Sequence, residues 1–123
     1  SNIQSWWDVR DQDNVMLLHF NDLKAVLEGE MRKISDFLGF KFSDQDWPQM
    51  IEHCTFEYMR KNADQLTPRL ATRFVGGAHS LINKGTNARW RETLSETDLQ
   101  KYQSFATKHL SEDCANWLAT GQG

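Results

Sequence analysis

No stretch of this sequence is apolar for long enough to cross a bilayer. The longest apolar run, Val15-Met16-Leu17-Leu18, is only strand-sized. Positive charge is also in short supply. The 14 Lys and Arg are outnumbered by 17 Asp and Glu, and a net charge of −3 lacks the basic footprint of a general nucleic-acid binder. Cysteine is scarce: Cys54 and Cys114 lie far apart, make no Cys-x-x-Cys and have no histidine at zinc spacing, so no metal is expected. Both are expected to be buried thiols in a reducing compartment, since free Cys behaves as a small hydrophobe. No secretory leader is visible, which predicts a cytoplasmic location; the natural start is expected to lie upstream of Ser1. Strand patterns are nearly missing as well.

What remains is an ordinary globular composition. At 123 residues, with 39% apolar and 11% aromatic residues including five Trp, the chain can build a packed core as one domain or part of one. Charge is unevenly placed. From residue 60 to residue 91 the only acid is Asp64, against Arg60, Lys61, Arg69, Arg73, Lys84, Arg89 and Arg91. A basic middle in an acidic chain suits a small phosphate-bearing ligand.

Along the chain, Trp6-Trp7 is expected to end a helix, and Asp11-Gln12-Asp13-Asn14 to turn. Val15 to Phe20 reads as one short buried strand, the only one. A continuous apolar strand normally lies within a sheet covered by helices, which predicts that partner strands are missing. Asp22 to Leu38 reads as a helix whose apolar face is Leu23, Val26, Leu27, Met31, Ile34, Phe37 and Leu38. Asn21 or Asp22 would cap it and Gly39 would end it. A second helix is expected after Asp46, with Pro48 in its first turn and Trp47, Met50, Ile51 and Cys54 inside. A short helix follows over Thr55 to Lys61. Residues 62–82, with Pro68 and Gly76-Gly77, are expected to be mostly irregular. Ser95 and Asp98 approximate a capping box before a helix with Leu99, Tyr102, Phe105, Ala106 and Leu110 on one stripe. Ser111 would cap a last helix holding Cys114, Trp117 and Leu118, and residues 120–123 would fray.

Asn83-Lys84-Gly85-Thr86-Asn87-Ala88-Arg89-Trp90-Arg91 can grip an anion: glycine lets backbone N–H groups come close, and lysine brings a compact positive charge. Three blocks in order resemble the sulfotransferase family that uses 3′-phosphoadenosine 5′-phosphosulfate. Trp6-Trp7, the apolar run Met16-Leu17-Leu18-His19-Phe20 and Asn21-Asp22-Leu23-Lys24 are similar to its Trp-Trp, strand, Tyr-Glu-Asp-Met/Leu-Lys passage. Thr55-Phe56-Glu57-Tyr58-Met59-Arg60-Lys61-Asn62 resembles its Thr-Ser-Phe-x-x-Met-Lys-x-Asn passage. Lys84-Gly85-x-x-Ala88-Arg89-Trp90-Arg91 resembles its Arg-Lys-Gly-x-x-Gly-Asp-Trp-Lys passage.

The resemblance implies roles position by position. Lys84 and Gly85 would hold the nucleotide's 3′-phosphate, with Asn83 in the place of the family's arginine and Arg73 or Arg89 to compensate for its charge. Cys54, Phe56 and Met59 would border the adenine. Phe20, in the place of a tyrosine, would lie near the base. The family's dimer motif falls on Arg91, Ser95-Glu96 and Gln100 and is poorly kept. No phosphosulfate loop of the Pro-Lys-Ser/Gly-Thr-Thr kind is present, and His19, His53, His79 and His109 do not align with the family's catalytic histidine. His79 is the one histidine placed to reach an acceptor.

The expected fold is therefore mainly α with one short strand. Residues 1–123 would be the C-terminal part of a P-loop-like α/β sulfotransferase domain, incomplete and inactive alone. Its partners would be a small-molecule acceptor and a separately supplied N-terminal half, or a second copy through exposed apolar surface. The competing reading is a helical protein-interaction domain that has kept the family's helices but not its ligand.

Overall fold

The computed structural model describes residues 1–122 apart from Leu81, Asn83 and Lys84, and the side chains of Leu70 and Ala71 are outside the description. Its elements are α1 (Asn2–Trp7), α2 (Phe20–Ala25), α3 (Leu27–Phe37), α4 (Trp47–His53), α5 (Phe56–Lys61), α6 (Ala63–Leu66), α7 (Pro68–Ala71), 3₁₀ turns at Ala78–Ser80 and Arg89–Glu92, α8 (Glu96–His109) and α9 (Glu112–Thr120). The chain divides into two compact units, Ser1–Leu38 with Ala88–Gly123, and Gly39–Asn87.

The first unit is stitched between its two ends. Trp7 is buried and packs on Trp117 at 5.4 Å between ring centroids. Its indole N–H donates to Asp113 at 3.3 Å, and the Arg10 guanidinium stacks over the ring at 4.3 Å. The Gln4 side chain accepts from the Ser111 N–H at 2.7 Å, so Ser111, the N-cap of α9, has its own backbone donor satisfied. Cys114 is fully enclosed. Burial, followed by the nearby Asp113 and Asp8 charges, pushes its thiol up, which keeps it neutral, as expected of a packing cysteine.

The strand expected at Val15 to Phe20 is not formed. Residues 15–19 have no regular secondary structure and are half-buried, among the described residues no strand pairs with them, and Phe20 already begins α2 and is exposed. A strand needs a neighbour to close its hydrogen bonds; a favourable composition alone does not supply one. The run ends instead on His19, which caps α2. Its Nδ1 accepts from the Asn21 N–H at 3.1 Å. Nε2 therefore carries the proton and donates to the Leu118 carbonyl at 3.0 Å, while the ring meets Trp117 edge-on. His19 is thus a structural histidine, and neither Asn21 nor Asp22 is the cap. Gly121 ends α9 at φ +84, where a methyl group would lie 2.9 Å from His19 Nδ1. Residues 120–122 are consequently tied down, not frayed: Asn21 donates to the Thr120 carbonyl, and Gln122 bonds back to Thr120 and Asn116.

The single helix expected over Asp22 to Leu38 is broken at Val26 (φ −140, ψ 58), which closes α2 and opens α3. A β-branched residue and Gly29, the poorest ordinary helix former, meet there. Of the expected apolar face, Leu23, Leu27, Met31 and Ile34 are half-buried. Val26, Phe37 and Leu38 are exposed, while Glu30 and Ser35 are buried. Glu30 is matched by Lys33 at 2.5 Å, and this hydrogen bond and charge raise the Lys33 pKa. Gly39, at φ +73, follows the end of α3 as expected.

In the second unit Trp47 is buried, with Phe42 edge-on at 5.8 Å, and Pro48 sits in the first turn of α4. Cys54 ends α4 exposed, not on its inner side, because α4 stops one residue before it and the backbone turns toward α5. Residues 62–82 hold more order than expected. Two single-turn helices and a 3₁₀ turn pack around Ala63 and Ala78, both fully buried. Pro68 opens α7, a first-turn place that needs no N–H. The capping box of α8 is formed as read, with Ser95 and Asp98 bonding reciprocally. Its apolar stripe is half open: Tyr102 and Phe105 are 56% and 63% exposed.

Candidate functional site

Two of the residues expected at the site, Phe56 and Gly85, meet within the second unit. Thr55 caps α5, its hydroxyl accepting from the Tyr58 N–H at 3.2 Å, and this places Phe56 as the first residue of the helix. The chain returns to Phe56 at Gly85. Gly85 has φ +57, and a methyl group there would lie 2.5 Å from the Phe56 ring. Only glycine permits both the left-handed backbone and this approach. Phe56 is half-buried.

Met59 is 38% exposed and lies one turn along α5 from Phe56, on the same face. Cys54 is two residues ahead of Phe56, exposed and free. Lys84 and Asn83, the core of the expected phosphate grip, lie outside the described residues. Phe20 belongs to the other unit and is 61% exposed. The structure thus joins Phe56 to Gly85, with Met59 and Cys54 alongside in sequence. Two open depressions on the surface, one along Gln100 to Lys108 of α8 and one between Trp7, Arg10, Met16 and Trp117, include none of these residues.

A sulfotransferase domain model matches residues 1–113 of this chain. The chain belongs to the sulfotransferase family. It is 28% identical to sulfotransferase 2A1 of Rattus norvegicus over 110 residues, which is 89% of this chain and 39% of that protein. It is 26% identical to luciferin sulfotransferase of Photinus pyralis over 115 residues, 89% of this chain and 31% of the relative. The chain therefore spans between about a third and two-fifths of the length of these curated relatives. Its fold matches a crystal structure of mouse sulfotransferase SULT7A1 complexed with PAP, with a TM-score of 0.72 over 94% of this chain and 42% of that one at 19% identity. The sulfuryl donor of sulfotransferases is 3′-phosphoadenosine 5′-phosphosulfate.

Within this sulfotransferase chain, Ala88 stands where the family pattern has its second glycine, and it is the one non-glycine residue of positive φ among those described, at +61. Glycine adopts this left-handed backbone freely, whereas in alanine it is a strained arrangement. His79, the histidine expected to reach an acceptor, has Nε2 3.7 Å from the Asp64 carboxylate. His53 closes α4 and stacks on Tyr58 at 4.6 Å. Sequence reasoning passed over Asp64. The signal was present, because Asp64 is the sole acid in a segment of seven basic residues. No membrane-crossing helix occurs among the described residues.

Proposed function

We propose that this chain is the C-terminal, nucleotide-gripping part of a sulfotransferase, and that Lys84 and Gly85 hold the 3′-phosphate of the donor while Phe56, Met59 and Cys54 border its adenine. The observation that supports this best is the contact of Gly85 with the Phe56 ring. It brings the aromatic passage and the lysine-glycine passage of the family together across 29 residues (85 − 56). A side-chain-free backbone at Gly85 lets N–H groups approach a phosphate, and the half-buried Phe56 would offer a flat base a stacking partner worth roughly 1–3 kcal/mol. Asn83 adds a hydrogen-bond donor without charge, and Arg73 and Arg89 are nearby cations in sequence that could compensate. Phe20 is assigned to the base by resemblance alone.

The complete enzyme would transfer the sulfuryl group to an acceptor hydroxyl or amine. The acceptor's proton passes to a general base as its oxygen or nitrogen bonds to sulfur, and adenosine 3′,5′-bisphosphate departs. These 123 residues contribute neither that base nor the phosphosulfate cradle, so the chain alone is inactive and requires the rest of the domain. The test is thermal unfolding with adenosine 3′,5′-bisphosphate. Ligand at 100 times Kd should stabilise the chain by about 2.7 kcal/mol. Lys84→Ala and Phe56→Ala should each remove most of that gain.

A second reading, a helical interaction domain without ligand, draws on the open aromatic stripe of α8, where Tyr102 and Phe105 are exposed. It predicts no thermal shift at millimolar nucleotide for wild type and Lys84→Ala alike.

A further inference from the structure

We propose that Asp64 is a positioning residue for the phosphate-gripping stretch, fixing the chain that leads into Lys84-Gly85 through its hold on Ala78. This rests on the nucleotide reading above.

Asp64 is the second residue of α6. Its Oδ1 accepts the Ala78 N–H at 3.1 Å, fourteen residues further along the chain. Its Oδ2 faces His79 Nε2 at 3.7 Å. The backbone is shaped to reach it. Gly76 and Gly77 turn at φ +92 and +71, and a methyl group on Gly77 would lie 3.1 Å from Oδ1. Ala63 and Ala78 are both fully buried, so α6 and the 3₁₀ turn approach with no side chain larger than a methyl at either position.

The hold is passed on. The Ala78 carbonyl accepts from the Ile82 N–H at 3.3 Å, and three residues after Ile82 comes Gly85, seated on the Phe56 ring. Ile82 and Gly85 are thus both held by residues elsewhere in the unit. Upstream the chain of contacts is Asp64, Ala78, Ile82; downstream it is Gly85 on Phe56. A phosphate grip made of backbone N–H groups and one lysine depends on those groups being in place before the ligand arrives, because ordering them on binding costs affinity. The Asp64 carboxylate, the one acid in an otherwise basic segment, holds the chain at Ala78, ahead of that grip.

The experiment compares adenosine 3′,5′-bisphosphate with adenosine 5′-monophosphate, which lacks the 3′-phosphate, as ligands of wild type, Asp64→Ala and Asp64→Asn. Asp64→Ala should reduce the preference for the bisphosphate about fivefold, the factor corresponding to one ordinary hydrogen bond, and leave monophosphate affinity unchanged. Asp64→Asn keeps an acceptor oxygen and should retain most of the preference. Amide exchange at Ala78 and Ile82 should accelerate in Asp64→Ala and not in Asp64→Asn. A preference untouched by Asp64→Ala overturns the positioning role and spares the nucleotide reading. Equal losses for both nucleotides reduce Asp64 to general scaffolding and overturn it too. A wild type with no preference for the bisphosphate overturns both. If Asp64→Ala does not fold, Gly77→Ala crowds the same carboxylate and must weaken bisphosphate selectively for the assignment to stand.

Discussion

The two units are held together by different means. In the first, residues about a hundred positions apart in sequence are joined by directed bonds: Gln4 to Ser111, Trp7 to Asp113, His19 to Leu118 and Asn21 to Thr120. These surround a core of Trp7, Trp117 and Cys114. In the second, short helices of four to seven residues follow one another, joined by contacts between residues closer in sequence, such as Trp47 under Phe42, Asp64 on Ala78 and Phe56 on Gly85. Helices that short have little stability of their own. The first unit is built as scaffold. The second is built from short pieces that need one another's contacts, and a ligand that binds there would stabilise them by mass action.

The largest effect should come from emptying the scaffold. Trp7→Ala removes a ring only 7% exposed, along with its bond to Asp113 and its stack under Arg10. A loss of about 3–5 kcal/mol is expected for the first unit. Amide exchange resolved by residue would show Cys114 and Leu118 losing protection while Ala63 and Ala78 keep theirs. Loss of protection at all four positions together would show one cooperative structure and break the comparison. A smaller effect of opposite sign is expected at Ala88. Replacing it by glycine relieves a left-handed backbone at φ +61, which costs an alanine roughly 1–2 kcal/mol; glycine's added freedom when unfolded offsets about half. Ala88→Gly should raise the melting temperature of the first unit by a few degrees, corresponding to about 0.5–1 kcal/mol. Unchanged or lowered stability would mean that the methyl group gains contacts exceeding the strain.

What the sequence disclosed divides along the same line as the chemistry that carries it. Signals confined to a few neighbouring residues were legible: the Ser95–Asp98 box, Gly39 after α3, Pro48 early in α4, the short helix after Thr55, and Cys114 within α9. Those that need a distant partner were not. Val15 to Leu18 has the composition of a strand, yet pairing is a property of two segments, and no pairing segment lies among the described residues. His19 caps α2 in a geometry fixed by Leu118, 99 residues away. Cys54 has the spacing of an inner helix position but stands just past the helix end. For the site, the family's passages brought Phe56 and Gly85 forward, and the structure joins them. Asp64 belongs to no passage; its isolation among basic residues was legible, but its partner Ala78, fourteen residues on, was not.

Acid gives the finest test of the contrast, because it acts on the ends of the scaffold's last two helices. The Asp98 carboxyl is held below its ordinary value of 3.8, first by the Ser95 hydroxyl and then by the Ser95 N–H. Asp113 is lowered as well, chiefly by the Ser111 hydroxyl, with the Cys114 N–H and the Trp7 indole adding to it. A carboxyl whose folded pKa is depressed binds its proton more readily when unfolded. Its stabilisation is therefore complete above the ordinary value and is lost as pH falls through the depressed one. Both groups are at the surface, so the effect is small and is weakened further by salt. Melting curves of wild type and Ser95→Ala should differ at neutral pH and converge as the pH drops below 3.8, because the substitution removes the bond that acid removes. The change should register in the exchange of amides at the start of α8 and leave Ala63 and Ala78 as they were. A gap between the two proteins that persists undiminished in acid would mean that Ser95 stabilises α8 without its partnership with Asp98, and that the capping box contributes nothing that depends on charge.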